Sequence, residues 1–185
     1  MAKEDTHQIT ITCLVSQDKL RSQALEVVRQ LNLPDCYVGA GFVRNLVWDY
    51  LHSRQLATEL NDVDVVYFDR QEHNPQQYLI YEQQLKKLMP ELNWQVRNQA
   101  LMHVRNGDKA YSSTLDALSY WPEKETAVAI RLTAERQIES IAAFGFDSLF
   151  QGDITYNPKR CREVFQQRIE TKGWLEKWPK LLVRY

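Results

Sequence analysis

The chain has 185 residues, the size of one ordinary domain, and 44% of them are hydrophobic, enough for a buried core. Its formal net charge is −1 with no block of like charge, which excludes the broad cationic footprint of a general duplex-DNA binder. No run approaches the roughly 20 apolar residues of a membrane helix. The start Met1-Ala2-Lys3-Glu4-Asp5 lacks an apolar signal region, so a cytoplasmic protein with no membrane partner is expected. Cys13, Cys36 and Cys161 are odd in number and far apart, matching neither a disulfide framework nor a zinc site.

In chain order, Ile9–Thr12 alternates like a strand but is equally compatible with the first turns of a helix. Leu20, Ala24, Leu25, Val27, Val28 and Leu31 recur at steps of three and four, which predicts an amphipathic helix over 16–33 with Ser16 or Asp18 as N-cap. Pro34 ends it. Cys36-Tyr37-Val38 predicts a short buried strand running into Gly39-Ala40-Gly41, and a helix follows from Phe42. A short loop then leads to a strand over 62–68, in which Val63, Val65 and Tyr67 face away from Asp62 and Asp64.

Tyr78 to Met89 predicts a helix closed by Pro90, and 94–98 a strand parallel to the Asp62 strand, as in a β–α–β unit. Asn106-Gly107-Asp108 is a turn, and 113–118 a short helix capped by Ser112 or Ser113. Segments 126–132 and 137–144 are expected to pair as a hairpin across 133–136, although a helix over 134–143 competes on propensity. One helical turn at 146–150 and a basic helix from Asn157-Pro158 through Arg168 complete the chain. The expected architecture is one α/β (α+β) domain over 1–185, with the helical segment from about 157 packed on it.

The chemistry concentrates in two pieces. A glycine turn at Gly39–Gly41 opening a helix offers backbone N–H groups and a positive helix end to phosphates. Asp62 and Asp64, two residues apart on a strand, leave the same face and suit Mg²⁺ (or Mn²⁺), which prefers few carboxylates plus substrate oxygens. The blander alternatives are glycines that merely allow close strand–helix packing and aspartates that meet solvent or cap a neighbour. Arg44 and Asn45 lie in the first helical turns, where they contact phosphate or tie the helix to Asp49 or the strand. Trp174 and Trp178, four apart, read as core, while Arg168 and Lys172 are within reach of a triphosphate. Lys159-Arg160-Cys161-Arg162 reads as a solvated helix face, and His7, His52, His73 and His103 have no ligand spacing.

Gly39-Ala40-Gly41 followed by Asp62-Val63-Asp64 resembles the signature of the nucleotidyltransferase superfamily, a glycine pair and then D-x-D on the next strand. More narrowly, G-A-G-F-V-R-N-L-V-W-D, N-D-V-D-V-V-Y-F-D, W-Q-V-R-N-Q-A-L-M-H and K-G-W-L-E-K-W-P-K-L are similar to a bacterial family of uncharacterised nucleotidyltransferase-like proteins related to DNA polymerase β-type transferases. The resemblance runs from about Leu20 to the C-terminus. It implies a nucleotidyltransferase-fold mixed sheet flanked by helices, nucleotide contact at Gly39 and Gly41, and metal ligation and catalysis at Asp62 and Asp64; Arg44 and Asn45, from their place in the first helical turns, are the expected supporting nucleotide contacts. The substrates it implies are an NTP and an unidentified hydroxyl acceptor, whose site falls to the region after Asn98. Two departures stand out: Ala40 splits the glycine pair, and the neighbouring strand offers Asn98 where a third carboxylate is usual. Asp69, Asp116 and Asp147 are the candidates to supply that acid; without it, a non-catalytic nucleotide- or partner-binding module is the alternative.

Overall fold

The computed structural model describes residues 3–185. Two helices open it, α1 (Lys3–Gln17) and α2 (Lys19–Gln30). Asp18 between them is extended, and its carboxylate accepts the Arg21 N–H at 3.0 Å, an N-cap. The helix expected over 16–33 is α2, with Asp18 as its cap, and a separate helix precedes it. Ser16 sits inside α1, its hydroxyl bonded back to the Thr12 carbonyl, so it caps nothing. Asn32 takes φ 48°, which ends α2 earlier than expected, and Ile9–Thr12 is helical.

The remaining elements are β1 (Tyr37–Gly39), α3 (Gly41–Leu51), β2 (Val63–Tyr67), α4 (Gln77–Leu88), β3 (Trp94–Asn98), α5 (Gln99–Asn106), α6 (Thr114–Leu118), β4 (Val128–Leu132), β5 (Ile138–Ala142), α7 (Asp147–Gln151), β6 (Asp153–Thr155), α8 (Arg162–Thr171), α9 (Trp174–Lys177) and β7 (Leu182–Arg184). Five strands form one mixed sheet in the order β3-β2-β1-β4-β5. β2 and β3 are parallel, as the β–α–β pattern predicts, and the other pairs are antiparallel. The β4–β5 hairpin prevails over the competing helix, with the Thr133 N–H bonded to the Gln137 carbonyl and Arg136 at φ 60° in the turn.

Strand alternation sorts the two faces of the sheet. Val38, Val63, Val65, Tyr67, Val96, Val128 and Ile130 enter a large core with residues of α1 to α4 and with Phe165, Trp174 and Trp178 from the C-terminal segment. The opposite face is thinner, with Tyr37, Val66, Ala127 and Ala129 beneath Leu118 and Trp121.

Four more elements depart from the pattern read in the sequence. The α5 helix fills 99–106, capped by Asn98 at one end and by left-handed Gly107 at the other. β6 and β7 pair as a small parallel sheet of their own. The C-terminal helix starts at Arg162 and not at Asn157, because the Asn157 side chain donates to the Ser119 and Trp121 carbonyls and its own carbonyl closes a turn with the Arg160 N–H. Arg160 is also more than a solvated cation, since it is pinned to Asp108 by two hydrogen bonds.

The C-terminal segment docks through its tryptophans. Trp174 and Trp178 are 4% and 1% exposed, so they are core residues, and both lie edge-on to Trp48 at 5.8 and 5.2 Å. Asp49, itself buried, accepts the Trp178 indole N–H at 2.7 Å and both the N–H and hydroxyl of Thr58 at 2.6 Å. One carboxylate thus ties α3 to the loop before β2 and to the C-terminus. Asp49→Ala strands these donors; at roughly 1–3 kcal/mol for a buried donor left unsatisfied, a loss of about 3 kcal/mol in urea unfolding is expected, with partial recovery in Asp49→Asn.

A second constraint lies at the β1–α3 junction. Ala40 holds φ 54° and ψ −126°, the first central position of a II′ turn, where glycine is the usual residue. A methyl there costs about 1–3 kcal/mol. Ala40→Gly relieves that strain and forfeits about 0.4–1 kcal/mol through the unfolded chain, so a rise in melting temperature is expected.

Candidate active site

The site is set by strand register. Gly39 on β1 lies opposite Asp64 on β2, which in turn lies opposite Gln95 on β3. Directly opposed residues share a face, so Asp64 stands between a residue without a side chain and a half-buried glutamine. A Cβ on Gly39 would meet the Trp121 ring at 3.3 Å and the Val128 carbonyl oxygen at 3.3 Å, so Gly39 is where Trp121 closes down on the sheet. Asp62 precedes β2 on the same side, and the antiparallel β1 delivers the start of α3 to that same end of the sheet.

Around this edge opens a cleft of about 480 Å³. Gly41, Arg44, Asn45, Asp62 and Asp64 all line it. Gly39 does not, because Trp121 covers it. Gly41 presents the first turn of α3, where the Val43 N–H turns back to the Ala40 carbonyl and the N–H groups of Gly41 and Phe42 have no intrahelical acceptor. A Cβ there would press on Asn45 Nδ2 at 3.2 Å, so the close approach of backbone to cleft depends on glycine.

The two carboxylates have different surroundings. Asp62 accepts a hydrogen bond from the Asn93 amide. Asp64 is half-buried and receives no hydrogen bond or ion pair from a side chain of the described residues. Burial raises its pKa, the Asp62 charge raises it further, and Arg44, Lys172 and Arg168 pull it back down. Two neighbouring carboxylates, one held by a single amide and the other without a side-chain donor, open to a cleft, are a donor set that fits a divalent cation completed by substrate oxygens. Among the described residues no group of three or more His, Cys, Asp and Glu is placed to hold a metal, so these two are all the acid that the protein brings to one point.

Arg44 occupies an unexpected position. Its guanidinium is buried between the Trp48 and Trp174 rings at 4.8 and 4.6 Å. Nη1 donates to the Thr126 hydroxyl at 2.6 Å, and that hydroxyl donates to Glu123 at 2.9 Å. Arg168 grips the same Glu123 from the far side at 2.5 and 3.1 Å. Asn45 accepts from Arg44 at 3.0 Å, and neither residue bonds to Asp49. Desolvation lowers the Arg44 pKa to about 10 against the opposing pull of Glu123, leaving it cationic at neutral pH. Its charge is held beneath the cleft by an aromatic cage.

The three candidate third acids all lie elsewhere. Asp69 follows the far end of β2, where its backbone is bonded to Asn98 and its carboxylate to the Gln71 N–H. Asp116 in α6 holds Ser112, and Asp147 in α7 pairs with His7. The further carboxylate lining the cleft is Glu59, next to the Thr58 anchored by Asp49. Glu59, Gln95, Trp121, Thr126 and Lys177 were not legible as cleft residues, because loops and crossovers bring them there. Arg168 and Lys172 do line it.

With this geometry in hand, likenesses to known proteins take on meaning. A family model described as Nucleotidyltransferase matches residues 26–183. A solved NMR structure described as revealing a CCA-adding enzyme head domain is 29% identical, covering 94% of this chain and 93% of its own, with a TM-score of 0.82. A CCA-adding enzyme in complex with CTP is 16% identical over 90% of this chain and 47% of its own, with a TM-score of 0.55. The Thermotoga maritima CCA-adding enzyme complexed with tRNA is 17% identical over 89% and 38%, with a TM-score of 0.57. At such identities the last two likenesses are of fold, and the chain spans less than half the length of either enzyme. No curated protein matches the chain significantly. The mixed sheet flanked by helices is the nucleotidyltransferase head-domain fold, no helix is long and apolar enough to cross a membrane among the described residues, and the chain belongs to a nucleotidyltransferase family.

Proposed function

We propose that this nucleotidyltransferase moves a nucleoside monophosphate from an NTP to a hydroxyl acceptor with Mg²⁺ at Asp62 and Asp64. The observation that carries the reading is the Gly39–Asp64 register, which puts two carboxylates and the open N-terminus of α3 on one cleft. Mg²⁺, when bound, neutralises phosphate charge and favours ionisation of the attacking hydroxyl. The residues of the chain do the rest. Asp62 and Asp64 hold the cation, Gly41 lets the α3 N–H groups approach the phosphates, and Arg44 and Asn45 support that turn from beneath. In the transfer the acceptor oxygen bonds to the α-phosphorus, the bond from α-phosphorus to the bridging oxygen breaks, pyrophosphate leaves with the electron pair, and the acceptor proton passes to solvent. The acceptor docks beside Trp121 and Gln95, on the open side of Asp64. The tRNA bound by the Thermotoga maritima neighbour makes an RNA 3′ hydroxyl the first acceptor to try.

A second reading follows from the placement of Asp69, Asp116 and Asp147 away from the cleft: a module that binds nucleotide without turnover. Product formation from labelled ATP, GTP, CTP and UTP across a panel of RNA and small-molecule hydroxyls separates the two. Transfer to any member establishes the enzyme, and nucleotide binding without product establishes the module.

Asp64→Asn tests the metal assignment through two opposite effects. The unfolded carboxyl titrates near 3.8 and the folded one higher, so the folded chain holds its proton more tightly. Stability contributed by this group is present at low pH and drains away as pH rises from the unfolded value through the folded one. The neutral amide escapes that loss, so in EDTA at pH 7 the variant melts at a higher temperature than wild type, and the gain fades towards pH 3. Metal-dependent NTP binding, measured calorimetrically, is lost in the same variant; retained binding removes Asp64 from the metal site.

A further inference from the structure

Residues 157–185 carry eight Lys and Arg against three Glu and no Asp, a net +5 in a chain whose total is −1. Most of the arginines in this segment are already committed: Arg160, Arg168 and Arg184 are ion-paired with Asp108, Glu123 and Asp153. Lys172 and Lys177 differ. Both line the cleft, and neither side chain makes an ion pair or hydrogen bond with any described residue.

Their position is built, not incidental. Lys172 is the C-cap of α8; Gly173, at φ 62°, reverses the chain; and Lys177 ends α9. The tryptophans that follow fix both spots, Trp174 two residues after Lys172 and Trp178 directly after Lys177, because both are buried against Trp48 and the Trp178 indole is tied to Asp49. Two free cations are thereby held over a cleft that also carries the carboxylates of Glu59, Asp62 and Asp64. Lys172 is close enough to act on the Asp64 carboxyl. Asp62, Asp64 and Glu59 repel a polyanion, and a cation on the aspartates answers only the phosphates it touches. A triphosphate lying from the aspartates towards the C-terminal segment brings its tail to these lysines.

We propose that Lys172 and Lys177 are the binding site for the β- and γ-phosphates of the NTP and for the pyrophosphate that leaves. This rests on the nucleotidyl-transfer reading and gives the substrate a direction in the cleft, with its tail under α9. The lysines bind a charge that grows on the leaving oxygens as the α-phosphorus bond breaks, so they hold the departing group as well as the substrate.

The test compares wild type with Lys172→Ala/Lys177→Ala, using inorganic tripolyphosphate and matched pairs of NTP and NMP in Mg²⁺, read by calorimetry and by fluorescence of the adjacent tryptophans. Tripolyphosphate removes dependence on the unidentified base. Wild type is expected to bind tripolyphosphate and to prefer NTP to NMP. The double variant is expected to lose on the order of tenfold or more for both polyphosphates, the scale of one or two hydrogen bonds to charged groups, while NMP binding is unchanged and Lys172→Arg/Lys177→Arg recovers most of the loss. Near-UV circular dichroism and the melting temperature report the fold of each variant. A folded double variant that keeps the wild-type tripolyphosphate affinity and NTP-to-NMP ratio overturns this assignment and leaves the nucleotidyl-transfer reading standing. Wild type that binds neither NTP nor tripolyphosphate overturns both.

Discussion

The cross-strand pairing of Gly39 with Asp64 is the constraint on which the rest of the site depends. A one-residue slip would turn Asp62 and Asp64 into the face occupied by Val63, Val65 and Tyr67, and bury two charges in the main core. The hydrophobic alternation of β2 therefore fixes the carboxylates as firmly as it fixes the core. Gly39 adds the local condition. Its missing side chain lets Trp121 lie against the sheet, and the chain leaving β1 enters α3 at the end where Asp62 sits. Strand register, sheet face and helix entry are thus one decision.

The C-terminal segment completes what that register begins. Trp174 and Trp178 supply apolar burial, and Asp49 and Arg44 on α3 supply the polar contacts that orient them. Asp49 satisfies donors from two other parts of the chain, and Arg44 sits on an indole at either face while its head group reaches Thr126 and, through it, Glu123 and Arg168. Arg44 and Glu123 are buried and Arg168 is half-buried, and a buried charge is costly to desolvate and strongly destabilising when its partner is lost. The consequence here is positional: the end of α3, the loop before β2 and the C-terminal lysines are referred to one frame, so the walls of the cleft do not move independently of its floor.

How much of this was legible follows from range. β2 declares itself through β-branched alternation and its two aspartates, and the hairpin at 128–142 through strand-like segments around a four-residue turn. Asp18 was visible as a cap, but the helix before it lacked a clear apolar stripe, so Ile9–Thr12 stayed open between strand and helix. The α5 helix carried its signals in Asn98 and Gly107, a side-chain cap and a left-handed terminus, though its eight residues are too few for a convincing period. β6 and β7 are three residues each and stand far apart in sequence, so neither has a pattern of its own. The Gly39–Gly41 and Asp62–Asp64 pieces could be joined because their spacing is local. The partner of Arg44 could not, since Thr126 lies 82 residues on. The sequence also treated both glycines as phosphate contacts, whereas Gly39 is covered by Trp121 and Gly41 lines the cleft.

Several exceptions to local rules meet at the site. Ala40 holds a conformation that glycine would hold at less cost, Asp64 is a half-buried carboxylate without a donor, and Lys172 and Lys177 are cations without partners. Elsewhere the chain satisfies such groups: Asp49, Asp108 and Glu123 are each met by several donors. Unpartnered charge of both signs facing one cleft is what a fold retains when a ligand is to supply the missing partners. The separation of sign carries the argument further than the strain does. Carboxylates on β2 answer a cation, lysines beyond α8 answer an anion, and a metal-bound nucleoside triphosphate presents both along its length, in the order in which the cleft offers them.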